Sequence, residues 1–391
     1  MNRKIWKALG IAVCMLALAA PRAMAVSRRV GSDAEFKDAV EAINQSGDNE
    51  NEIFLTQDIT LKGNTTDYTL TNGKETTTKT TTIKGEGNTI TVNPGAGITV
   101  AKKGTVLNLG ANGYDGTLTI DGKTSGGSAS GNAKNAFVSV LEGATANMYE
   151  NVTLQNWQFV GNACVVIMGS DPVTGSKSVF NMYGGVIEKC SRAVMADSGT
   201  TFHMLGGKIL NCVSGNDGGG IFLYKATFIM DGGIISGCEG LLGGGLYAEK
   251  SSTVNINNGT ISGCTAGAGG GLYVVGSTLN IKGGTISECF VSDTGKGGGL
   301  FADQSTLTIS GGTIKGNKAA YGGGVALRDS RVKEEEPITN WTVVDNKAYK
   351  TKTGTGYVGG GIYLENGSMN ASAGSNKIYN NTADGHGADI C

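Results

Sequence analysis

The stretch TLNIKGGTISECFVSDTGKGGGLFAD, residues 278–303, decides the fold. It opens on Thr278-Leu279-Asn280-Ile281, where apolar residues alternate with polar ones. That alternation marks a half-buried strand. Gly283-Gly284 then turns the chain into a second apolar step, Thr285-Ile286-Ser287, which runs to Cys289. A variable segment leads to Gly297-Gly298-Gly299, and Leu300-Phe301-Ala302 follows as a third strand. The phrase recurs. Triple glycines stand at 218–220, 243–245, 269–271, 297–299, 322–324 and 359–361, each before an apolar strand, most often 25 or 26 residues apart.

Three short strands without a helix cannot bury their own apolar face, so each unit must stack on its neighbours. A whole repeat separates a strand from its equivalent, which makes the equivalents parallel. The expected fold is all-β, a right-handed parallel β-helix of roughly eleven coils, about 50 Å long at ~4.8 Å per coil. In the first strand of each coil, Phe180/Met182, Phe202/Met204, Phe228/Met230, Val254/Ile256, Leu279/Ile281 and Leu307/Ile309 are expected to face the core. Asn181, His203, Ile229, Asn255, Asn280 and Thr308 then face out. After the glycines, Leu246/Ala248, Leu272/Val274 and Leu300/Ala302 point inward.

Residues 52–61, 80–92, 98–120 and 136–154 read as looser coils of the same plan. Ser32 and Glu35 make a capping-box pattern, and Phe36, Ala39, Val40 and Ile43 follow at helical spacing. This predicts a helix over 33–44 that covers the first coil. Arg3, Lys4 and Lys7, the apolar run 8–20 and Ala23-Met24-Ala25 read as a signal peptide. The organisation expected is 1–25 signal peptide, 26–51 N-terminal cap and 52–391 one β-helix domain, in a chain exported to the surface or the medium. Gly387-Ala388-Asp389-Ile390-Cys391 reads as the entry to another strand, to be covered by another chain or a further domain.

Composition narrows the classes. With 65 glycines and four prolines in 391 residues, the chain is neither collagen-like nor low-complexity. Without the four basic residues of the signal it has 28 basic against 33 acidic residues, a net of −5. No basic surplus exists to neutralise phosphates, so nucleic acid is not an expected partner. Beyond the signal, no run approaches ~20 apolar residues, so no transmembrane segment is expected.

Aligned on the Thr-Ile step, one position reads Cys190, Cys212, Cys238, Cys264, Cys289, Asn317, Asn346 and Asn381, with Trp157 before them. The Asn coils read Ile-Lys-Gly-Asn317-Lys-Ala, Val-Val-Asp-Asn346-Lys-Ala and Ile-Tyr-Asn-Asn381-Thr-Ala. Over roughly residues 145–385 the chain resembles the repeats of bacterial polymorphic outer membrane proteins and adhesin-like β-helix proteins. Their paired signatures are a Gly-Gly-small-Ile step and an apolar-x-x-Asn step. The resemblance implies a parallel β-helix with an adhesin-like binding role. Two departures stand out: five coils carry Cys where the family carries Asn, and no export barrel follows.

The five cysteines read either as an inward column of small polarizable side chains or as disulfides between adjacent coils. Parallel Cβ vectors oppose the second. The mature chain keeps seven cysteines, an odd number that cannot all pair internally. No metal site is expected, because a line of thiols makes no tetrahedron and no Cys-x-x-Cys occurs. No cofactor is expected.

Gly385-His386-Gly387 resembles a step of β-helical polygalacturonases, yet no Asp-Asp pair accompanies it. The acids Asp197, Asp217, Asp231, Glu239, Glu249, Glu288, Asp293 and Asp303 show no convergent pair of the kind a glycosidase needs. His203 reads as a surface histidine with no acid beside it, and Arg192 and Arg328 likewise lack acids. No catalytic residue is assigned. The stronger surface feature is aromatic. Phe222, Tyr247, Tyr273 and Phe301 hold the outward position after the triple glycine, and Tyr363 returns to it later. They are expected either to bind a glycan or a host or cell-surface protein, or to stack on one another and stiffen the rod. The loops 64–82, 328–337 and 345–357 are further candidate contact points. The leading function is thus an adhesin-like binder. The alternatives are a polysaccharide lyase or hydrolase and a passive rod.

Overall fold

The computed structural model describes residues 26–73, 77–123, 136–158, 164–168, 174–292, 294–333, 337–350, 357–371 and 375–391. Residues 1–25, expected to be a signal peptide, Asp293, Lys352 and parts of the three candidate loops (74–76, 334–336 and 351–356) lie outside the described residues.

The chain is a parallel β-helix. Among the described residues three long sheets hold 12, 11 and 12 strands, and strands of successive coils are neighbours within each. Pairing is parallel and in register. In the first sheet Thr201, Thr227, Thr253, Thr278 and Thr306 are successive partners. In the second sheet Thr260, Thr285, Thr313 and Thr342 are. In the third, Leu246, Leu272, Leu300 and Val325 are. The inward residues expected from the alternation are all buried in one core. Phe180, Phe202 and Phe228 stack through it with centroids 5.2 Å apart.

Several elements escaped the sequence reading. The expected loop 64–82 holds a 3-10 helix at Thr65–Tyr68 and a strand at Thr69–Thr71 that pairs into the third sheet, with Tyr68 and Leu70 buried. A fourth sheet of two-residue strands, from Thr265–Ala266 to Thr382–Ala383, lies inside the segment taken as a variable loop. A first strand, Val26–Val30, pairs with Glu50–Leu55 ahead of the helix. Its polar centre, Ser27-Arg28-Arg29, is exposed, so the burial alternation that would reveal a strand is missing.

The helix spans Asp33–Gln45 and buries Phe36, Ala39, Val40 and Ile43 over the first coil. Ser32 Oγ accepts the Glu35 N–H at 3.2 Å, and the Glu35 carboxylate accepts the Gly31 N–H at 2.7 Å. At its other end the buried Lys79 ammonium donates to the carbonyls of Ile43 (2.9 Å), Asn44 (3.4 Å) and Ser46 (2.8 Å). A cation thus meets the negative end of the helix dipole and satisfies carbonyls that have no partner within the helix.

The triple glycines divide three tasks. Gly243, the first of its triplet, has φ +62°, which a side chain disfavours. A Cβ on the second, Gly244, would lie 2.5 Å from the Thr265 carbonyl of the next coil. One on the third, Gly245, would lie 3.4 Å from the Cys264 sulfur. Near the C-terminus the Gly359 N–H bonds the His386 carbonyl, and Ile362 pairs with Ile390. Gly387-Ala388-Asp389 is therefore one more copy of the triplet, with Gly387 at φ +63°. This accounts for the glycine of the Gly385-His386-Gly387 step by coil geometry alone.

Candidate functional site

The expected aromatic stripe exists, but it is not a free surface. Phe222, Tyr247, Tyr273 and Phe301 are successive partners on the outer side of the third sheet. Phe222 stacks on Tyr247 at 5.7 Å and Tyr273 on Phe301 at 4.7 Å, while Tyr247 meets Tyr273 edge-on at 5.4 Å. Tyr247, Tyr273 and Phe301 are only 6%, 7% and 3% exposed, packed under Leu242, Ala268 and Val275. Ala326 follows Phe301 in the register and separates it from the half-buried Tyr363. The loops that end in the triple glycines fold back over these rings and make a second, small core. An outward position on a sheet is therefore not the same as an exposed one.

Charges close the ends of that stack, which corrects the reading that Arg192 and Arg328 lack acids. Arg192 lies 4.9 Å over the Phe222 ring and donates to the Gly218 and Asp217 carbonyls. Burial pulls its pKa down to about 10, opposed by the Asp217 carboxylate. Arg328 lies 5.3 Å over Phe301 and forms a two-pronged pair with Asp303. Burial, with the Asp303 charge, pushes the Tyr273 hydroxyl up to about 12. The Tyr247 hydroxyl donates to Glu249 at 3.3 Å. Asp217 is raised by burial, and its buried Oδ1 has no hydrogen-bond partner among the described residues. These groups lock the loops onto the sheet.

An aromatic pair with one exposed ring lies elsewhere. Tyr149 and Tyr183 occupy the corner that follows the first sheet, stacked at 5.2 Å with ring planes 10° apart. Tyr183 is 40% exposed. The column continues with Leu205, Asp231 and Asn257, each N–H bonded to the coil before. Gly110 lies one coil ahead of Tyr149 and has no side chain to cover that ring. Two residues before each corner runs the outward column of the first sheet. There the Asn147 amide donates to Asn108 at 2.8 Å and the Asn181 amide donates to Asn147 at 2.9 Å. His203 comes next, and it does have an acid: Nε2 is 2.6 Å from Asp231 Oδ2. Asp231 also accepts from Asn257 at 2.7 Å. These two hydrogen bonds, Asn257 first, hold its carboxyl below the ordinary range. The sequence reading missed this strip because Tyr149, Tyr183 and Asp231 are turn residues, outside the strand alignment.

The cysteine column divides. Cys190 is disulfide-bonded to Cys164, while Cys212, Cys238, Cys264 and Cys289 are free and buried. Cys164 stands at the register position of the third glycine, because Val165, Val194 and Ile221 are successive partners. That position points at the ladder residue of the next coil. The bridge thus crosses a corner, and none runs along the column. The Asn members form an inter-coil latch. Asn317 Oδ1 accepts the Cys289 N–H, Asn346 Oδ1 the Asn317 N–H and Asn381 Oδ1 the Asn346 N–H, at 2.9–3.0 Å. Asp389 Oδ1 accepts from Asn381 in the same way. Sulfur takes the role of the amide oxygen in the Cys coils: Cys264 accepts from the Cys238 N–H, and Cys289 from the Cys264 N–H. The Cys238 and Cys289 side chains on either side hold Cys264 below the usual thiol range, while each thiol donates to the carbonyl two residues before it. Cys238 and Cys289 are raised in turn. Among the described residues no three His, Cys, Asp or Glu side chains gather around a common point as a metal cluster.

The family model for the right-handed β-helix region matches residues 135–333 and 245–390. The chain belongs to that family. No curated protein and no solved structure matches it. Among the described residues no helix is long and apolar enough to cross a membrane.

Proposed function

We propose that the chain is an exported, adhesin-like β-helix that binds an extended glycan along the corner of its first sheet. The observation that carries this reading is the stack of the half-buried Tyr149 on the exposed Tyr183, beside the Asn108–Asn147–Asn181 amide column. Aromatic faces take the C–H faces of sugar rings, and amides take their hydroxyls. Both columns repeat at the coil spacing of ~4.8 Å, close to one sugar unit of an extended chain. The signal-like first 25 residues and the outer-membrane-type repeat signatures support export and a surface location. A polysaccharide panel tests the reading, scored by retardation of the full chain in native gels. Tyr183→Ala should weaken the retained interaction about tenfold, ~1.4 kcal/mol. Tyr247→Phe, within the covered stack, should leave it unchanged. Equal loss in both variants, or no retention by any glycan, would favour the passive rod.

A further inference from the structure

Four free thiols, Cys212, Cys238, Cys264 and Cys289, stand one per coil in a single buried file. Their order in space follows the backbone: Glu239 bonds the Cys212 carbonyl, Thr265 that of Cys238 and Phe290 that of Cys264. Each thiol is set the same way, donating to the carbonyl two residues before it: Cys212 to Leu210, Cys238 to Ser236, Cys264 to Ser262 and Cys289 to Ser287, at 3.3–3.6 Å. Three further features concern the sulfur atoms themselves. Backbone N–H groups of Cys238 and Gly237 point at Cys264, and that of Cys264 at Cys289. Such donors stabilise thiolates, as they do around metal-bound sulfur. The Glu288 charge acts on Cys289, and among the described residues no cluster of three His, Cys, Asp or Glu side chains forms at the file. Finally, the third glycines leave the sulfurs no competing side chain, with Gly245 and Gly271 Cβ positions only 3.4 and 3.2 Å from Cys264 and Cys289.

A gap between successive sulfurs offers two soft ligands on opposite sides, one from each coil. That excludes zinc, which wants four ligands in a tetrahedron. It suits an ion that accepts two collinear thiolates. Two metal–thiolate bonds of ~2.3 Å span ~4.6 Å. The coils are ~4.8 Å apart. We propose that the file is a linear site for monovalent thiophilic cations of the Cu(I) or Ag(I) class, each held between the sulfurs of two adjacent coils. Four sulfurs make two independent pairs, Cys212 with Cys238 and Cys264 with Cys289. Each pair binds by 2 RSH + M⁺ → [RS–M–SR]⁻ + 2 H⁺. No electron is transferred, and uptake releases protons. The Cys164–Cys190 disulfide takes no part.

The test is anaerobic titration of the full chain with Ag(I), followed by native mass spectrometry and by protons released. The background is Cys391→Ser, which removes the exposed thiol. Two Ag(I) per chain are expected, with about two protons released per ion. Because the file is buried, Ag(I) present during refolding should load it as well. Cys264→Asn places at this position the side chain the fold itself uses at Asn317, Asn346 and Asn381, so the variant should fold. It should bind one ion fewer, and Cys238→Asn with Cys264→Asn should bind none. Retention of two ions in the double variant would overturn the proposal. So would the absence of Ag(I) uptake by both the folded and the refolded chain.

Discussion

Replacing Asn346 measures what the inter-coil latch contributes. Its side chain is fully buried and makes four hydrogen bonds. Oδ1 accepts from the Asn317 N–H (2.9 Å) and amide (3.0 Å), and Nδ2 donates to the Ile314 carbonyl (3.0 Å) and to Asn381 Oδ1 (2.9 Å). In Asn346→Ala the Asn317 amide keeps the Ile286 carbonyl, and Asn381 Oδ1 keeps the Asn346 N–H. The Asn317 N–H loses its acceptor and the Ile314 carbonyl loses this donor. An orphaned buried group costs about 1–3 kcal/mol, so a loss of about 3 kcal/mol is expected once the small cavity is added. Asn346→Cys should lose about half of that. Its sulfur can accept the Asn317 N–H as Cys264 accepts from Cys238. Urea unfolding under reducing conditions gives the stabilities, and native-state hydrogen exchange at the Asn317 amide reports the bond itself. Exchange should be fastest in the Ala variant and intermediate in the Cys variant. Equal loss of stability and protection in the two would refute sulfur as the stand-in for the amide oxygen.

Lys79→Met should lower stability by about 2 kcal/mol, because three carbonyls at the helix end lose a charged donor; thermal unfolding checks it. The residue before each ladder position is left-handed, with Gly263 at φ +60° and Glu288 at φ +56°. Gly263→Ala should therefore destabilise by about 1 kcal/mol and Glu288→Gly should stabilise slightly, read as shifts of the urea midpoint. The raised Tyr273 hydroxyl makes an alkaline limit. Between the usual tyrosine pKa of 10 and its folded value of about 12, the unfolded chain gives up the proton first. Stability should fall through that window, and Tyr273→Phe should flatten the fall in a pH series of melts.

The fold was legible because coil geometry writes itself into sequence at fixed intervals. Leu279 and Ile281 alternate with Asn280, Gly243 must turn with positive φ, and Cys264 must meet the coil before it. What failed was the step from orientation to exposure. Tyr247 and Tyr273 do point away from the main core. They are buried under loop residues such as Leu242 and Ala268, and strand periodicity carries no trace of those contacts. The pair of half-buried Tyr149 and exposed Tyr183 was overlooked for the converse reason. Both lie at a corner, where alternation ends and the register of neighbouring coils alone brings the rings together. The His203–Asp231 pair is of the same kind, joining residues 28 apart in sequence across two coils. The Cys164–Cys190 bridge was legible in principle, since Cys164 falls in register with the glycines that face the ladder.

The proposed glycan strip runs along the rod, from the open face of Tyr149 to Asn257, which sets how affinity should depend on ligand length. The direct measurement is the dissociation constant of the full chain for a series of oligosaccharides of one retained polymer. Affinity should rise with each added sugar while the chain extends over further coils, then level off near the length of the strip, and Tyr183→Ala should flatten the rise. A disaccharide that binds as tightly as the polymer, or a length series that Tyr183→Ala leaves unchanged, would contradict the account.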